Sequence, residues 1–177
     1  MTTDEIKQAV AKRAAELVND GMTLGIGTGS TAKHLLYALA ERMKNGLRFT
    51  GVPTSVQTET LARELGIPVV TLDEANEIQL AIDGADEVSS ALDLIKGGGG
   101  AFLQEKMVAF AAKKFVVIGD ESKLVNTLGR FPLPVEVVPY SIERIKKHIA
   151  NLGCKEISLP VTNNKIYITD HGHQVID

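Results

Sequence analysis

Short apolar segments alternate with amphipathic helical segments along most of this chain, and this alternation restricts the possible folds more than any other feature. One helical segment begins at Ser30, and two others span 56–65 and 101–113. A further helix, with a capping box at Thr2 and Glu5, precedes the first strand. The predicted strands span 22–26, 48–52, 67–72, 78–82, 92–95 and 115–119. Strands and helices that alternate in this way form a mostly parallel sheet flanked by helices. The sequence therefore predicts an α/β fold with a Rossmann-like open sheet.

The sequence Phe-Pro-Leu-Pro, which begins at Phe131, marks a predicted domain boundary. Beyond it we predict a strand at 135–138, a helix at 142–152, and strands at 155–159 and 165–169 that are joined by a turn at Asn163-Asn164. This β-α-β-β order is most of a ferredoxin-like unit, without its last helix and strand. We therefore expect a main α/β catalytic domain at 1–130 and a small α+β lobe at 131–177 that is truncated at its C-terminal end.

Charge and cysteine content exclude several classes of protein. The formal net charge is -3 at pH 7 and no basic run occurs, which argues against nucleic-acid binding. The polar N-terminus does not resemble a signal peptide, and no apolar segment has the length of a membrane span. Cys154 is the single cysteine and has no internal partner for a disulfide. We therefore expect a cytoplasmic protein.

A glycine-rich loop joins the first predicted strand of the sheet to the next helix, with the sequence Gly25-Ile26-Gly27-Thr28-Gly29-Ser30-Thr31. Glycines allow a ligand to approach the backbone, and a helix N-terminus presents unpaired N–H groups that suit a phosphate. The loop is not a Walker A motif, because no Gly-Lys-Ser/Thr occurs, and it lacks the spacing of the dinucleotide fingerprint. From this loop alone, phosphate binding and a tight turn with Ser30 as a simple N-cap both stay open.

Two further polar clusters follow predicted strands, at the edge where open parallel sheets bind ligands. They are Asp83-Gly84-Ala85-Asp86-Glu87 and Lys96 with the four glycines 97–100. Glu105 lies near the start of the next helix, so its carboxylate is expected to point back to this edge. A lysine and a helix N-terminus favour the ionised form that a general base needs. In isolation, the acidic cluster also fits a solvated turn, and its spacing matches no calcium loop, so we expect no metal.

In their order along the chain, these motifs closely resemble those of the type A ribose-5-phosphate isomerase family. The resemblance covers Gly-Thr-Gly-Ser-Thr, Asp-Gly-Ala-Asp-Glu, Lys-Gly-Gly-Gly-Gly with Glu105 downstream, Ser122-Lys123, and Phe-Pro-Leu-Pro-Val-Glu-Val. It implies an isomerase that interconverts ribose 5-phosphate and ribulose 5-phosphate in the non-oxidative pentose phosphate pathway. The reaction would pass through an enediol or enediolate, with no cofactor and no metal.

The resemblance also implies the residues of the active site. Glu105 matches the proton acceptor, Asp83 matches an aspartate that assists ring opening, and Lys96 is placed near the reacting oxygens, with Asp86 also in the catalytic group. The substrate-binding residues that it implies are Thr28, Gly29, Ser30, Thr31, Gly84, Ala85, Gly97, Gly98, Gly99 and Lys123.

Members of this family normally continue past the position of Asp177, in elements that cover apolar surface. We therefore expect lower stability here, or contacts in a homodimer or higher homo-oligomer that cover the gap. Two other classes fit part of the pattern. An amino-sugar-phosphate deaminase, or more distantly a coenzyme A transferase, has a related fold, but the deaminase needs a histidine at the sheet edge. A non-catalytic sugar-phosphate sensor has no use for Glu105 or Lys96.

Overall fold

The computed structural model describes residues 1–162 and 164–177, so the predicted turn at Asn163-Asn164 falls partly outside the described residues. The α-helices are α1 (Thr3–Ala15), α2 (Ser30–Lys44), α3 (Val56–Glu64), α4 (Phe102–Ala111) and α5 (Ile142–Asn151). The strands are β1 (Met22–Ile26), β2 (Phe49–Pro53), β3 (Leu80–Asp83), β4 (Glu87–Ser89), β5 (Leu94–Ile95), β6 (Phe115–Val117), β7 (Leu124–Val125), β8 (Val135–Val137), β9 (Val161–Thr162), β10 (Lys165–Ile166) and β11 (Gln174–Ile176). Among the described helices, none has the length and hydropathy needed to cross a membrane.

The main sheet is parallel and has the strand order β2-β1-β3-β6, which confirms the predicted Rossmann-like α/β fold. Gly25 of β1 pairs with Val52 on one side and with Ala81 on the other. The chain leaves β1 towards β2 and later returns to β3 on the opposite side of β1. Loops diverge at such a switch point and leave a crevice at the carboxyl ends of the strands. A ligand site is therefore expected beyond the ends of β1 and β3.

Alternate residues of the strands pack against helices on the two faces of the sheet. The larger buried cluster includes Leu24 and Ile26 of β1 together with Leu35 of α2. The other cluster contains Val108 of α4, which is 1% exposed, and burial of such a side chain contributes about 1.5–3 kcal/mol. A Cβ on Gly25 would lie only 2.6 Å from Val108 Cγ1. The missing side chain at Gly25 therefore lets α4, which carries Glu105, pack closely on the sheet.

The described residues form three smaller sheets besides the main one. In the order β5-β4-β7, strand β4 pairs antiparallel with β5 and parallel with β7. Strand β8 pairs antiparallel with β11, and Glu136 lies opposite Val175. Strands β9 and β10 form an antiparallel pair. The division into a domain at 1–130 and a truncated lobe at 131–177 stays a prediction.

Several predicted strands were wrong in extent or in place. The segment 67–72 makes only an isolated bridge between Val69 and Gly51, because Pro68 has no N–H with which to continue a ladder. The segment 92–95 forms a strand only from Leu94, since Leu92 has a φ of 66° in the turn from β4. This strand belongs to a small sheet and not to the main one.

Beyond Phe131, the predicted strand at 155–159 is not formed. Ser158 instead exchanges two backbone hydrogen bonds with Asp177. The last strand, β11, was not predicted, and it supplies the partner of β8. A pair of strands so short carries too few alternating positions for a sequence pattern to detect.

Candidate active site

The motifs from four parts of the chain meet around one cavity of about 260 Å³ beyond the ends of β1 and β3. Every predicted site residue except Asp83 lines it, and Lys7 lines it as well. The lining residues are Lys7, Thr28, Gly29, Ser30, Thr31, Gly84, Ala85, Asp86, Lys96, Gly97, Gly98, Gly99, Glu105 and Lys123. The predicted catalytic and substrate-binding residues thus lie together, although Lys96 follows a strand of a small sheet.

Lys96 lies between two buried carboxylates. Its Nζ is 2.9 Å from Asp83 Oδ2 and 3.4 Å from Glu105 Oε2, and it also donates to the carbonyl oxygen of Gly84 at 2.8 Å. The carboxylate side chains are 4% and 3% exposed. Burying these two carboxylates is costly unless a cation compensates for the lost hydration. One ammonium group therefore balances part of the negative charge of both side chains.

Asp83 is fixed by hydrogen bonds to both of its carboxylate oxygens. Its Oδ1 accepts hydrogen bonds from the backbone N–H groups of Thr28, at 3.1 Å, and of Gly84, at 2.7 Å, while Oδ2 accepts from Lys96. A Cβ on Gly27 would lie 2.0 Å from Asp83 Oδ1, so only glycine leaves room for this carboxylate. Asp83 therefore links the glycine-rich loop after β1 to Lys96, and does not line the cavity itself.

Glu105 lies in the first turn of α4 and is 4% exposed. Among the described residues its Oε2 has no hydrogen-bond donor, and Lys96 approaches it only at an ion-pair distance. Burial, reinforced by the negative charge of Asp83 and opposed by Lys96, raises the pKa of Glu105 to about 7. A carboxylate with this pKa is close to the ideal for proton transfer near neutral pH.

The two carboxylates differ in how well the protein stabilises their charge. Burial raises the pKa of Asp83 as well, while Lys96 and the backbone N–H groups of Gly84 and Thr28 oppose that rise. Three hydrogen bonds thus stabilise ionised Asp83, whereas among the described residues Glu105 Oε2 has only its 3.4 Å ion pair with Lys96. We therefore assign the first proton that this pair takes up to Glu105.

The glycine loop after Lys96 is shaped by contacts that a side chain would block. Gly98 donates its N–H to Asp86 Oδ2 at 2.8 Å. Gly97 has a φ of 105°, and a Cβ there would lie 2.3 Å from the ring of Phe102. These contacts fix the loop backbone, which forms one wall of the cavity with Asp86 beside it.

Several of the groups that line the cavity suit an anion. Ser30 begins α2, whose first-turn N–H groups have no partners within the helix. Lys7 Nζ donates to Ser30 Oγ at 2.8 Å, and Lys123 lines the same cavity. Lysine ammonium groups, hydroxyl groups and a helix N-terminus are donors that suit a phosphate group.

Thr28 contributes to the shape of its loop through groups that face the protein. Its hydroxyl lies 2.8 Å from that of Thr54, 2.9 Å from that of Ser55 and 3.1 Å from that of Thr58, all of which are buried. Its backbone N–H is bonded to Asp83. The predicted contact of Thr28 with a substrate stays a prediction.

Three further residues with contacts in or near the motifs of the site were not predicted from the sequence. Lys7 reaches the cavity because α1 packs along α2, and no local motif identifies it. Tyr167 donates its hydroxyl to the carbonyl oxygen of Gly100 at 3.1 Å. Glu87 is fully buried and accepts the N–H groups of Gly129 and Phe131, and the first of these bonds is the main cause that lowers its pKa. The acidic motif 83–87 was the only available signal for Glu87.

Comparison with known proteins identifies the family. The family model for ribose 5-phosphate isomerase A (phosphoriboisomerase A) matches residues 50–177. Ribose-5-phosphate isomerase A of Rhodopseudomonas palustris (strain TIE-1) is 49% identical over 183 residues, which cover 100% of this chain and 79% of that protein.

Solved structures give the same result. A D-ribose-5-phosphate isomerase in complex with phospho-erythronic acid superposes with a TM-score of 0.95 at 40% identity, covering 100% of this chain and 79% of the other. Ribose 5-phosphate isomerase A from Methanocaldococcus jannaschii gives a TM-score of 0.94 at 43% identity, covering 99% and 80%. This chain belongs to the ribose-5-phosphate isomerase A family.

Proposed function

We propose that this protein interconverts D-ribose 5-phosphate and D-ribulose 5-phosphate, an aldose–ketose isomerisation in the non-oxidative pentose phosphate pathway, with Glu105 as the base. One observation carries this proposal. The Glu105 carboxylate is buried beside Lys96, and its Oε2 has no hydrogen-bond donor among the described residues. It lies in the same cavity as the anion site at Ser30. A base and an anion site in one small cavity suit a sugar phosphate.

The phosphate end of the substrate is assigned to the start of α2. Lys7 and Lys123 would neutralise its charge, and Ser30, Thr31 and the N-terminal N–H groups of α2 would donate hydrogen bonds. Binding energy gained at the phosphate, remote from the reacting carbons, would orient C1 and C2 against Glu105. A related D-ribose-5-phosphate isomerase in complex with phospho-erythronic acid supports this assignment, because that ligand also carries a phosphate group.

The sugar end is assigned to the walls formed by Gly84, Ala85, Asp86 and the glycine loop 97–99. Lys96 would donate to the sugar oxygens on which negative charge develops. Asp83 would assist ring opening through Lys96, because its own oxygens are occupied by donors of the protein.

A single carboxylate can carry out both proton transfers, from C2 and to C1. Glu105 takes the proton from C2 of the open-chain aldose, the C2–H electron pair forms a C1=C2 double bond, and the aldehyde π electrons move to O1. O1 gains a proton and O2 loses one, which gives the enediolate on O2. The electrons on O2 then form the C2 carbonyl, and C1 takes the proton back from Glu105. Glu105 removes the proton from C2 and returns it to C1 on the same face of the sugar. Atoms and electrons are conserved within the substrate, so the reaction consumes no redox cofactor.

The activity is tested by following ribulose 5-phosphate formation from ribose 5-phosphate, with unphosphorylated ribose as the matched substrate. We expect turnover of the phosphate ester and a kcat/KM for ribose that is lower by at least about a hundredfold, because remote binding energy is lost. Binding of ribose 5-phosphate without turnover would instead favour a sensor. Ammonia release from an amino-sugar phosphate would favour a deaminase, although no histidine of the described residues lines the cavity.

The rate should depend on the ionisation of Glu105. Because the base must be ionised and burial raises its pKa to about 7, kcat/KM is expected to rise with pH from 5 to 8, with an apparent pKa near that value. Glu105→Asp should shift the apparent pKa of this rise in kcat/KM. If the rise were instead due to ionisation of the substrate phosphate, whose pKa is about 6, the substitution would leave the apparent pKa unchanged. A flat profile between pH 5 and 8 would contradict the assignment.

We also infer a homo-oligomer in the cytoplasm. An exposed apolar stripe on α4 supports self-association, since Leu103 is 41%, Met107 49% and Phe110 89% exposed. The free, exposed Cys154 supports a reducing compartment. Sedimentation equilibrium measures the association, and a monomer at all micromolar concentrations would contradict it.

A further inference from the structure

Helix α4 begins without a capping side chain of its own. The residue before it is Ala101, which has no side-chain acceptor, and Glu105 lies in the first turn. The first N–H groups of a helix need acceptors from elsewhere. One of them, the N–H of Leu103, donates to Oε2 of Glu136 at 2.9 Å. Glu136 is 33 positions away along the chain, on strand β8. The start of the helix that carries the base is thus capped by a distant carboxylate.

Glu136 is itself held in one orientation. Its other oxygen, Oε1, accepts from the Thr169 hydroxyl at 2.7 Å and lies 3.0 Å from His173 Nδ1. Its side chain is 9% exposed, and its backbone lies in the β8–β11 pair. Both carboxylate oxygens therefore have partners, and rotation of the side chain would break contacts on both sides. The capping oxygen is fixed relative to the segment 169–173.

We propose that Glu136 is a positioning residue for the isomerisation: it fixes the first turn of α4 and thereby the direction of the Glu105 carboxylate. Glu136 does not line the cavity, so it acts through the helix backbone. A carboxylate near a helix N-terminus is also favourable electrostatically, which keeps the first turn closed. A displacement of the base by about 1 Å is enough to lower a rate by about a hundredfold.

The residues assigned to the substrate phosphate belong to elements other than α4 and β8. Lys7, Ser30 and Lys123 belong to α1, to the start of α2 and to the 3₁₀-helix Glu121–Lys123. Loss of the cap should therefore disturb the base without disturbing the binding of the substrate phosphate. A purely structural role predicts something else, namely a loss of folded protein with normal kcat in the fraction that stays folded.

The test compares Glu136→Leu with Glu136→Gln in the whole protein, measuring kcat, KM and thermal unfolding. Glu136→Leu removes both acceptors, and we expect kcat to fall by about 10- to 100-fold while KM changes by less than about twofold. Glu136→Gln keeps one carbonyl oxygen that can accept the Leu103 N–H, so we expect it to restore kcat to within about fivefold of wild type. Glu156→Leu, at an exposed position, is the matched control and should leave kcat unchanged.

Thr169→Val supplies a second variant of nearly unchanged shape, in case Glu136→Leu does not fold. It removes the hydroxyl that orients Glu136 and should lower kcat by a smaller factor, again at constant KM. Normal kcat in Thr169→Val, together with normal kcat or no folded protein for Glu136→Leu, would overturn the proposal. So would a rise in KM as large as the fall in kcat. The inference rests on the proposed isomerase activity, which fails separately if the wild-type protein does not turn over ribose 5-phosphate.

Discussion

Glu105→Gln is expected to lower kcat by about a thousandfold or more, while the protein stays folded. General-base catalysis contributes roughly 10²–10⁴ in rate, and an amide cannot take up the C2 proton. The change keeps the shape of a side chain that is 4% exposed, so packing against the sheet should be unaffected. Such a loss corresponds to about 4 kcal/mol of transition-state stabilisation. The measurement is steady-state turnover of ribose 5-phosphate at pH 8, where wild-type Glu105 is ionised.

The matched control for this variant is Glu64→Gln, which makes the same chemical change at an exposed position at the end of α3. It should leave kcat within about twofold of wild type, since exposed substitutions have small effects. Similar losses in both variants would point to a general effect on stability. Near-normal turnover of Glu105→Gln would remove Glu105 from the mechanism.

Lys96→Met is expected to lower kcat by at least about a hundredfold and to make the stability of the protein more dependent on pH. The rate falls because the ammonium that stabilises charge on the sugar oxygens is lost, and such donors contribute about 10²–10³. It falls further at neutral pH because Lys96 lowers the pKa of both Asp83 and Glu105. Without Lys96 those pKa values rise, so less Glu105 is ionised at pH 7.

The sign of the stability change follows from the same shift. A carboxyl group whose pKa is raised by folding stabilises the protein below its unfolded pKa, and that contribution is lost as the pH rises through the folded pKa. Lys96→Met should therefore unfold at a lower temperature at pH 8.5 than at pH 5.5, by a larger margin than wild type. Lys12→Met, at an exposed position of α1, is the control. If the unfolding temperature differed between pH 5.5 and pH 8.5 by the same amount in both variants, Lys96 would not compensate for the buried carboxylates.

The parallel sheet was predictable because its strands are bounded by clear signals. Gly21 and the loop after Ile26 delimit β1, and the helix from Ser30 shows its apolar face at Leu35 and Leu39. Helix α4 was found as well, although its predicted ends were one or two residues too long. Where such signals were weak the prediction failed. Pro68 prevented a predicted strand, and two- or three-residue strands such as β4 and β11 show no periodicity.

The assembly of the candidate site was predictable only in part. The carboxyl ends of parallel strands meet at one edge, so Asp83 and the loop at Gly27 had to lie close together. The distance from Lys96 to Glu105, by contrast, depends on how β5 and α4 pack, and no local pattern specifies it. The same applies to Lys7 and Glu136, whose contacts cross 23 and 33 positions of the chain. Such contacts arise from tertiary packing, which the local sequence around either residue does not encode.

The most direct test of the central claim is cleavage of the C2–H bond itself. With ribose 5-phosphate deuterated at C2, NMR follows the loss of deuterium from C2, whether it appears at C1 or in water. We expect the wild-type protein and Glu64→Gln to break this bond at the rate of turnover, and Glu105→Gln to break it about a thousandfold more slowly. Cleavage by Glu105→Gln at the wild-type rate would contradict the assignment of Glu105 as the base.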